Sequence, residues 1–235
     1  MVRVRALTLV EVIVTVGVLT VLVLLTMYIL PAPGGRHHPS MQSNGQVRGI
    51  QQAMVLYGQG NNTYYPGLDS LGELDTPEED GGDGRDPDWR MEIMLTNNFF
   101  TGEYVVSPVD VKTVWTTGAV DSTMYSYALL DLDQSPERVE WRDTINTEAV
   151  VVSDRNTGSG TKEAELNSLW TGRRGDWRGS VGWNDNHTTF ETEAVGYTTK
   201  YGSLFNDQND NLFQDDDVAR GDAQMVYGDP DASHE

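Results

Sequence analysis

The 235-residue chain contains no cysteine, which excludes disulfide bridges, thiolate zinc sites, iron–sulfur ligation, cysteine nucleophiles and a lipid anchor on cysteine. Histidine is also scarce. His37 and His38 lie in a Pro/Gly-rich segment, His187 in a turn-forming cluster and His234 beside the C-terminus. Nucleophilic catalysis by Ser or Thr usually needs a neighbouring His base, and the sequence has no Gly-rich phosphate loop with Lys. The sequence therefore favours a protein that is not an enzyme.

Basic residues are few, with 16 Lys and Arg against 36 Asp and Glu, for a net charge of −20. Residues 1–48 carry four arginines against Glu11, a balance of +3, which leaves −23 for residues 49–235. An acidic surface repels the phosphates of nucleic acids and attracts cations. The charge therefore argues against nucleic-acid binding and favours a well-solvated domain.

One long apolar run lies near the N-terminus, where residues 7–30 read LTLVEVIVTVGVLTVLVLLTMYIL with Glu11 as their one charged member. As a helix this run is about 36 Å long, enough to cross a hydrocarbon core of about 30 Å. Arg3 and Arg5 precede it, so the positive-inside rule predicts a single-pass inner-membrane protein with a cytoplasmic N-terminus. A cleaved signal peptide would be shorter, and an ordinary signal anchor leaves Glu11 unexplained.

The start of this run resembles the prepilin motif of type IV pilins and type II secretion pseudopilins. In that motif a peptidase removes a short basic leader after a small residue and methylates the new terminus, and Glu stands fifth in the mature chain. Here residues 1–6 match the leader, the cut falls between Ala6 and Leu7, and Glu11 is fifth. Ala6 replaces the usual Gly but remains small. The resemblance implies that Glu11 meets the terminal amine of a neighbouring subunit during filament assembly.

An exported domain over residues 42–235 is predicted to follow a linker at residues 31–41, where three prolines and two glycines interrupt helix formation. The domain opens with an amphipathic helix from about Gln42 that ends at Gly58 and Gly60. Its apolar positions, spaced by three and four residues, are Val47, Ile50, Met54 and Tyr57.

Short segments rich in Val, Tyr and Thr predict an antiparallel sheet. Residues 184–187 read Asn-Asp-Asn-His and predict a hairpin turn between the last two of these segments. Residues 69–90 are predicted as an acidic loop, residues 93–100 as a short helix and turn, and residues from about 206 as an acidic tail. The predicted strands lie at residues 103–106, 122–130, 148–153, 180–183 and 188–192.

Residues 42–213 resemble the pilin-like proteins of planctomycete-type bacteria. The matching stretches, in order, are QSNGQVRGIQQAMVLYGQGNNTYYPG, YVVSPVD, MYSYALLD, VVVSDRN, GSVGWNDNHTTFE and NDNLF. The family has an Asp-Gly-His hairpin near its C-terminus, and Asn186 stands here where the family has Gly. A His about ten residues earlier is missing, with Gly175 near its place.

Calcium is the one cofactor that the sequence suggests, because hard oxygen ligands cluster near the C-terminus. Asp207, Asn209 and Asn211 have the first three spacings of a calcium loop, but Leu212 and Val218 stand where an EF-hand needs Gly and Glu. An EF-hand is excluded, and the resemblance to major pseudopilins implies a looser site. Its candidate ligands are Asp207, Asn209, Asn211, Asp215, Asp216 and Asp217.

These observations together predict an α+β fold with a long N-terminal helix, transmembrane to Leu30 and amphipathic from about Gln42, packed on an antiparallel sheet as in pilins. The predicted function is that of a structural filament subunit, processed by prepilin peptidase and assembled with itself and other pilin-like subunits by inner-membrane machinery into an extracytoplasmic filament. The alternative is a membrane-anchored or secreted module that binds carbohydrate or attaches to surfaces through calcium.

Overall fold

The chain divides into two units, Met1–His37 and His38–Glu235. The computed structural model describes residues 9–29, 39–76, 82–133, 138–215 and 221–228. The first unit contains helix α1, Leu9–Ile29. The second contains helices α2, Pro39–Gly60, and α3, Pro87–Thr96, together with both β-sheets. The predicted leader, residues 1–6, lies outside the described residues.

Within those described ranges, no helix is both long enough and apolar enough to span a lipid bilayer. The predictions of a transmembrane segment over residues 7–30 and of a single-pass inner-membrane protein are therefore wrong.

The predicted long N-terminal helix is also wrong, because α1 ends at Ile29 and α2 is a separate helix that begins at Pro39. Proline has no backbone N–H and a fixed φ, so it suits the first position of a helix and disrupts its interior. Apolar and amphipathic periods next to each other do not by themselves give one continuous helix. The pilin-like arrangement is replaced, over the described residues, by three short α-helices and two antiparallel sheets.

The second unit is built on a five-stranded antiparallel sheet in the order β4-β3-β2-β1-β7, with β5 and β6 paired in a separate hairpin. Strands β1, β2 and β3 are buried along their whole length, and α2 packs across β2, β3 and β4. The strands are β1 Tyr127–Leu130, β2 Val150–Asp154, β3 Gly179–Trp183, β4 Thr188–Glu191, β5 Val195–Tyr201, β6 Leu204–Asn211 and β7 Met225–Val226.

Helix α2 confirms the predicted amphipathic helix. Its apolar stripe is buried against the sheet at Val47, Ile50 and Met54, and Tyr57 is half-buried beside it. The helix ends at Gly60, and in the turn that follows Asn61 N–H donates to the Gly58 carbonyl oxygen at 3.0 Å. The 3.6-residue period of the sequence thus identified the face that contacts the sheet.

The two predicted strands on either side of the Asn-Asp-Asn-His turn are confirmed. The β3–β4 hairpin forms as expected, and Asn186 in its turn has φ of +69°. Strand β2 matches the prediction at residues 148–153, while β1 occupies only the end of the segment 122–130. Residues 103–106 were wrongly predicted as a strand, because Gly102–Val105 form a 3-10 helix. Strands β5, β6 and β7 were not predicted, and β6 lies where the sequence suggested a tail.

Helix α3 is held to β1 by Arg90, whose side chain is almost completely buried. Its guanidinium donates to the carbonyl oxygens of Leu130 at 2.6 Å and Arg85 at 3.0 Å, and lies 5.0 Å from the centre of the Trp141 ring. Burial lowers the pKa of Arg90 to about 10. The residue therefore remains charged at neutral pH and is stabilised by carbonyl dipoles and an aromatic face.

Candidate functional site

The surface of α1 is the most unusual feature of the described chain. Every side chain described there, from Val10 to Leu22 and at Leu24, is exposed. Consecutive residues of a helix are about 100° apart, so Val12, Ile13 and Val14 alone point to most of its circumference. Soluble helices normally bury one apolar stripe and expose a polar face. The exposed aliphatic residues are Val10, Val12, Ile13, Val14, Val16, Val18, Leu19, Val21, Leu22 and Leu24.

The threonines of α1 do not make its surface polar. The Thr15 hydroxyl donates to the carbonyl oxygen of Glu11 at 2.9 Å, and the Thr20 hydroxyl donates to that of Val16 at 2.8 Å. A hydroxyl that bonds to the preceding turn can be buried at little cost, because its hydrogen bond needs no outside partner. Glu11 is the one charged residue among the side chains described in α1.

A shallow apolar groove runs along α1 over Gly17. It has a volume of about 440 Å³ and is lined by Val14, Gly17, Val18, Val21 and Leu22. These positions follow the three- and four-residue spacing of a single helix face, the pattern through which two helices pack side by side. A Cβ atom added at Gly17 would have no heavy atom within 4 Å. The groove therefore has space for a side chain from another molecule.

Glu11 lies in the first turn of α1, and its side chain is exposed. An acid in this position interacts favourably with the partial positive charge of a helix N-terminus, which is a structural role by itself. The predicted processing residues, Ala6 and Leu7, lie outside the described residues. The structure therefore locates the acid of the predicted assembly motif and does not describe the cleavage site.

Three of the six predicted calcium ligands belong to one strand, β6. Asp207, Asn209 and Asn211 are alternate residues of this strand and are spaced by about 6.5 Å along it. The Asn211 amide donates to Thr161 O at 3.0 Å, and its oxygen accepts from Phe213 N–H at 3.2 Å. Asp215 is exposed.

Asp216 and Asp217, the remaining two candidates, lie outside the described part of the chain. Across the part that is described, no group of three or more His, Asp or Glu side chains has a geometry that could hold a metal ion. Calcium binding at this end of the chain stays a prediction.

His187 has a structural role in the β3–β4 hairpin. Its ring stacks on Trp183 with centres 5.5 Å apart and planes inclined by 3°, and its Nδ1 contacts the Asp185 carboxylate. The Asp185 carboxylate also accepts the His187 backbone N–H at 3.1 Å. These contacts fix the turn and agree with the prediction that His187 is a turn residue.

Two buried polar residues were missed by the sequence analysis. Asp154, at the end of β2, is completely buried and accepts hydrogen bonds from Ser43, Trp170 and Ser180. Asn184, after β3, bonds to four groups of the chain. One signal for Asp154 was its place directly after a run of buried valines, where an acid needs partners to be tolerated.

Comparisons of the chain with protein-family models, with curated proteins and with solved structures give no match. The resemblance to pilin-like proteins therefore rests on the sequence motifs alone. The function has to be argued from α1 and from the surfaces of the second unit.

Proposed function

We propose that the protein is the structural subunit of a filament of the type IV pilus or type II secretion pseudopilus kind, assembled through α1. The observation that carries the proposal is the exposure of aliphatic side chains around the whole helix. Burying a Val, Leu or Ile side chain completely contributes about 1.5–3 kcal/mol. Burying the remaining exposed area of ten such residues would contribute on the order of 10 kcal/mol, which is comparable with the cost of association, estimated at roughly 4–15 kcal/mol.

Copies of the same helix are well suited to cover α1. The Gly17 groove follows a helical stripe, so it accepts the ridge of another helix, and identical helices present both the ridge and the groove. Because apolar residues surround α1, each helix can contact several others at once. A bundle of α1 helices in the centre of a filament would meet that requirement.

Glu11 would supply the register of such a bundle. A carboxylate buried among aliphatic side chains costs several kcal/mol unless a cation neutralises it. Cleavage by prepilin peptidase between Ala6 and Leu7 would create an amine at the start of the mature chain, close in sequence to α1. One acid and one amine per subunit allow each copy to pair with the next, which fixes the axial offset between them.

The experiment is to replace Glu11 in the full chain by Gln, which keeps the shape and removes the charge. Thr15→Val is the matched control, because the Thr15 hydroxyl bonds only within the helix. Assemblies isolated from producing cells are examined by electron microscopy and by mass analysis of the N-terminus. We expect both variants to accumulate, an N-methylated Leu7 in assembled wild-type protein, and poor incorporation of Glu11→Gln only.

Normal incorporation of Glu11→Gln into assemblies would contradict the proposal that Glu11 sets the axial register. Assembled wild-type protein that retains Met1–Ala6 would contradict processing, and it would favour the alternative of a module that binds carbohydrate or a surface. The mass measurement separates the two functions because a binding module needs no new amine at Leu7.

A further inference from the structure

The second unit has an exposed isoleucine in a backbone conformation that isoleucine avoids. Ile145 has φ of +59°, and its side chain is 72% exposed. A β-branched residue is strained in this left-handed region because its branched Cβ approaches its own backbone. The side chain gains little burial in return within this chain. Such a residue is expected where its apolar side chain is used in a contact with another molecule.

The neighbours of Ile145 hold it rigidly in place. On one side, the Thr144 hydroxyl accepts from the Asn184 amide at 2.8 Å. On the other, the Asn146 amide donates to Lys200 O at 2.9 Å, and its oxygen accepts from Glu148 N–H at 2.9 Å. A backbone that is already held in place loses little conformational entropy on binding. Ile145, Lys200 and the exposed Phe205, which pairs with Lys200 across the β5–β6 hairpin, are here called the Ile145 surface.

An open groove of about 470 Å³ lies elsewhere on the same unit, where α2 meets the 3-10 helix Gly102–Val105. Two of its polar side chains are bonded within the chain: the Tyr104 hydroxyl donates to Gly45 O at 2.9 Å, and the Gln46 amide donates to Tyr104 O at 2.9 Å. Met41, one helical turn before Gly45, is 74% exposed and extends the apolar surface. The groove, here called the Tyr104 groove, is lined by Gln42, Gly45, Gln46, Thr101, Glu103 and Tyr104.

The Ile145 surface and the Tyr104 groove lie at opposite ends of α2. Gly45 is in the first part of the helix, whereas Asp143, two residues before Ile145, donates its N–H to Thr63 O just beyond the helix end. From Gly45 to Gly60 the helix rises by about 22 Å. One molecule therefore cannot join its own two surfaces, but molecules arranged head to tail along α2 can.

The charges on the two surfaces also favour contact between the Ile145 surface of one molecule and the Tyr104 groove of another. Lys200 is exposed beside Ile145, and Glu103 is exposed on the rim of the Tyr104 groove. The chain has only three lysines and a net charge of −20, so most surfaces of two copies repel each other. A contact that places Lys200 against Glu103 joins opposite charges, which supports this orientation over others.

From these features we infer that the Ile145 surface of one copy docks in the Tyr104 groove of the next. The contact is heterologous, so each added copy leaves one surface and one groove open, and the chain of copies does not close. The inference rests on the proposed filament function and adds a second contact to it, between the second units. Its residues are separate from α1, so the two contacts can be tested separately.

The absence of cysteine allows a direct test by cross-linking in the full chain. Glu103→Cys and Lys200→Cys chains are mixed in equal amounts and oxidised, and the disulfide-linked pairs are identified by mass analysis of their proteolytic peptides. We expect mixed dimers in excess of the ratio that random collision gives. Glu163→Cys replaces Glu103→Cys in the control, because Glu163 is also an exposed Glu in a 3-10 helix. Equal cross-linking of Lys200→Cys with both partners would overturn the inference.

Two further variants test the chemistry of the contact. Ile145→Asn should weaken assembly about tenfold or more through the loss of apolar burial. The same variant should unfold at a higher urea concentration, because Asn accepts the left-handed backbone. A purely structural role for Ile145 would instead lower stability. Lys200→Glu and Glu103→Lys should each weaken assembly, and the double variant should restore it.

The results distinguish this contact from the proposed function. Full assembly of Ile145→Asn and of Lys200→Glu would refute the Ile145 contact and leave assembly through α1 standing. Specific cross-linking together with normal incorporation of Glu11→Gln would support the Ile145 contact and count against the α1 register. A wild-type chain that remains monomeric in producing cells would end both proposals.

Discussion

The Ser43 hydroxyl lies 3.2 Å from Oδ1 and 3.3 Å from Oδ2 of Asp154, and this contact joins α2 to the end of strand β2. Both residues are completely buried. Two other donors approach the same carboxylate, since Trp170 Nε1–H and Ser180 N–H reach Oδ2 at 3.0 and 2.7 Å. The arrangement places an acid in the core at the meeting point of a helix, two strands and a loop.

Asp154 should make the stability of the second unit depend on pH. Burial raises its pKa from 3.8 to about 6, and the hydrogen bonds from Ser180, Trp170 and Ser43 only partly oppose that shift. Because the folded-state pKa is the higher one, the stabilising contribution is fully present below about pH 4 and is lost as pH rises through about 6. A difference of about two pKa units corresponds to roughly 3 kcal/mol.

Asp154→Asn should remove this dependence. The Asn oxygen can accept from Trp170 and Ser180, and its amide can donate to the Ser43 hydroxyl, so the contacts are preserved without a charge. We expect the variant to be about 1–3 kcal/mol more stable than wild type at pH 8 and similar at pH 4, measured by urea unfolding. Asp215→Asn, at an exposed position, is the control. A constant difference between Asp154→Asn and wild type across this range would contradict the assignment.

Asn184 should be among the residues whose loss destabilises the second unit most. Its amide donates to Glu140 O at 2.7 Å and Arg142 O at 2.9 Å, and its oxygen accepts from the Tyr65 hydroxyl at 2.9 Å. Each buried group left without its partner costs about 1–3 kcal/mol, so Asn184→Ala should lose about 3 kcal/mol or more in urea unfolding.

Asn186→Gly, two residues away in the same turn, is the matched control for Asn184→Ala. Asn186 has φ of +69°, a conformation that Gly adopts freely, so its replacement should change stability by less than about 1 kcal/mol. Similar losses in the two variants would show that the turn is generally sensitive and would argue against a special role for the Asn184 amide.

The sequence predicted those elements whose signals are local. The period of Val47, Ile50 and Met54 identified α2 and its buried face, and the Asn-Asp-Asn-His cluster identified the β3–β4 turn. These two elements could be predicted because helix periodicity and turn-forming residues act over only a few residues of sequence. Amino-acid composition alone gave a wrong prediction of a strand at residues 103–106. Tyr104 and Val105 are residue types common in strands, but here they lie in a 3-10 helix packed on α2.

The elements that were missed depend on distant partners. Strand β6 is rich in Asn and Asp, which are uncommon in strands, and it forms because it pairs with β5 and because Asp210 and Asn206 are held by Ala223 N–H and Asp222. Ile145 could not be identified from sequence because its significance lies in its backbone angle. The apolar run at the N-terminus was recognised, but it was wrongly combined with α2 into one long helix and wrongly interpreted as a membrane span.

Two glycines one turn apart in α2 should respond oppositely to replacement by alanine. A Cβ at Gly49 would lie 1.9 Å from the Tyr104 hydroxyl oxygen and 2.7 Å from the ring carbon that carries it, whereas a Cβ at Gly45 has no heavy atom within 4 Å. In Gly49→Ala the Tyr104 ring has to move away from the helix, which disturbs its hydrogen bond to Gly45 O. Overpacking of this kind costs about 1–3 kcal/mol.

Gly45→Ala should instead gain up to about 1 kcal/mol, because alanine favours the helix more than glycine does. Urea unfolding of the two variants at one pH measures the difference, and Gly49→Ala combined with Tyr104→Ala provides the control. If the Tyr104 ring is the obstacle, the Gly49→Ala loss should disappear in the Tyr104→Ala background, where the added methyl has space. A loss that persists there would mean that the backbone of α2, and not the ring of Tyr104, requires glycine at position 49.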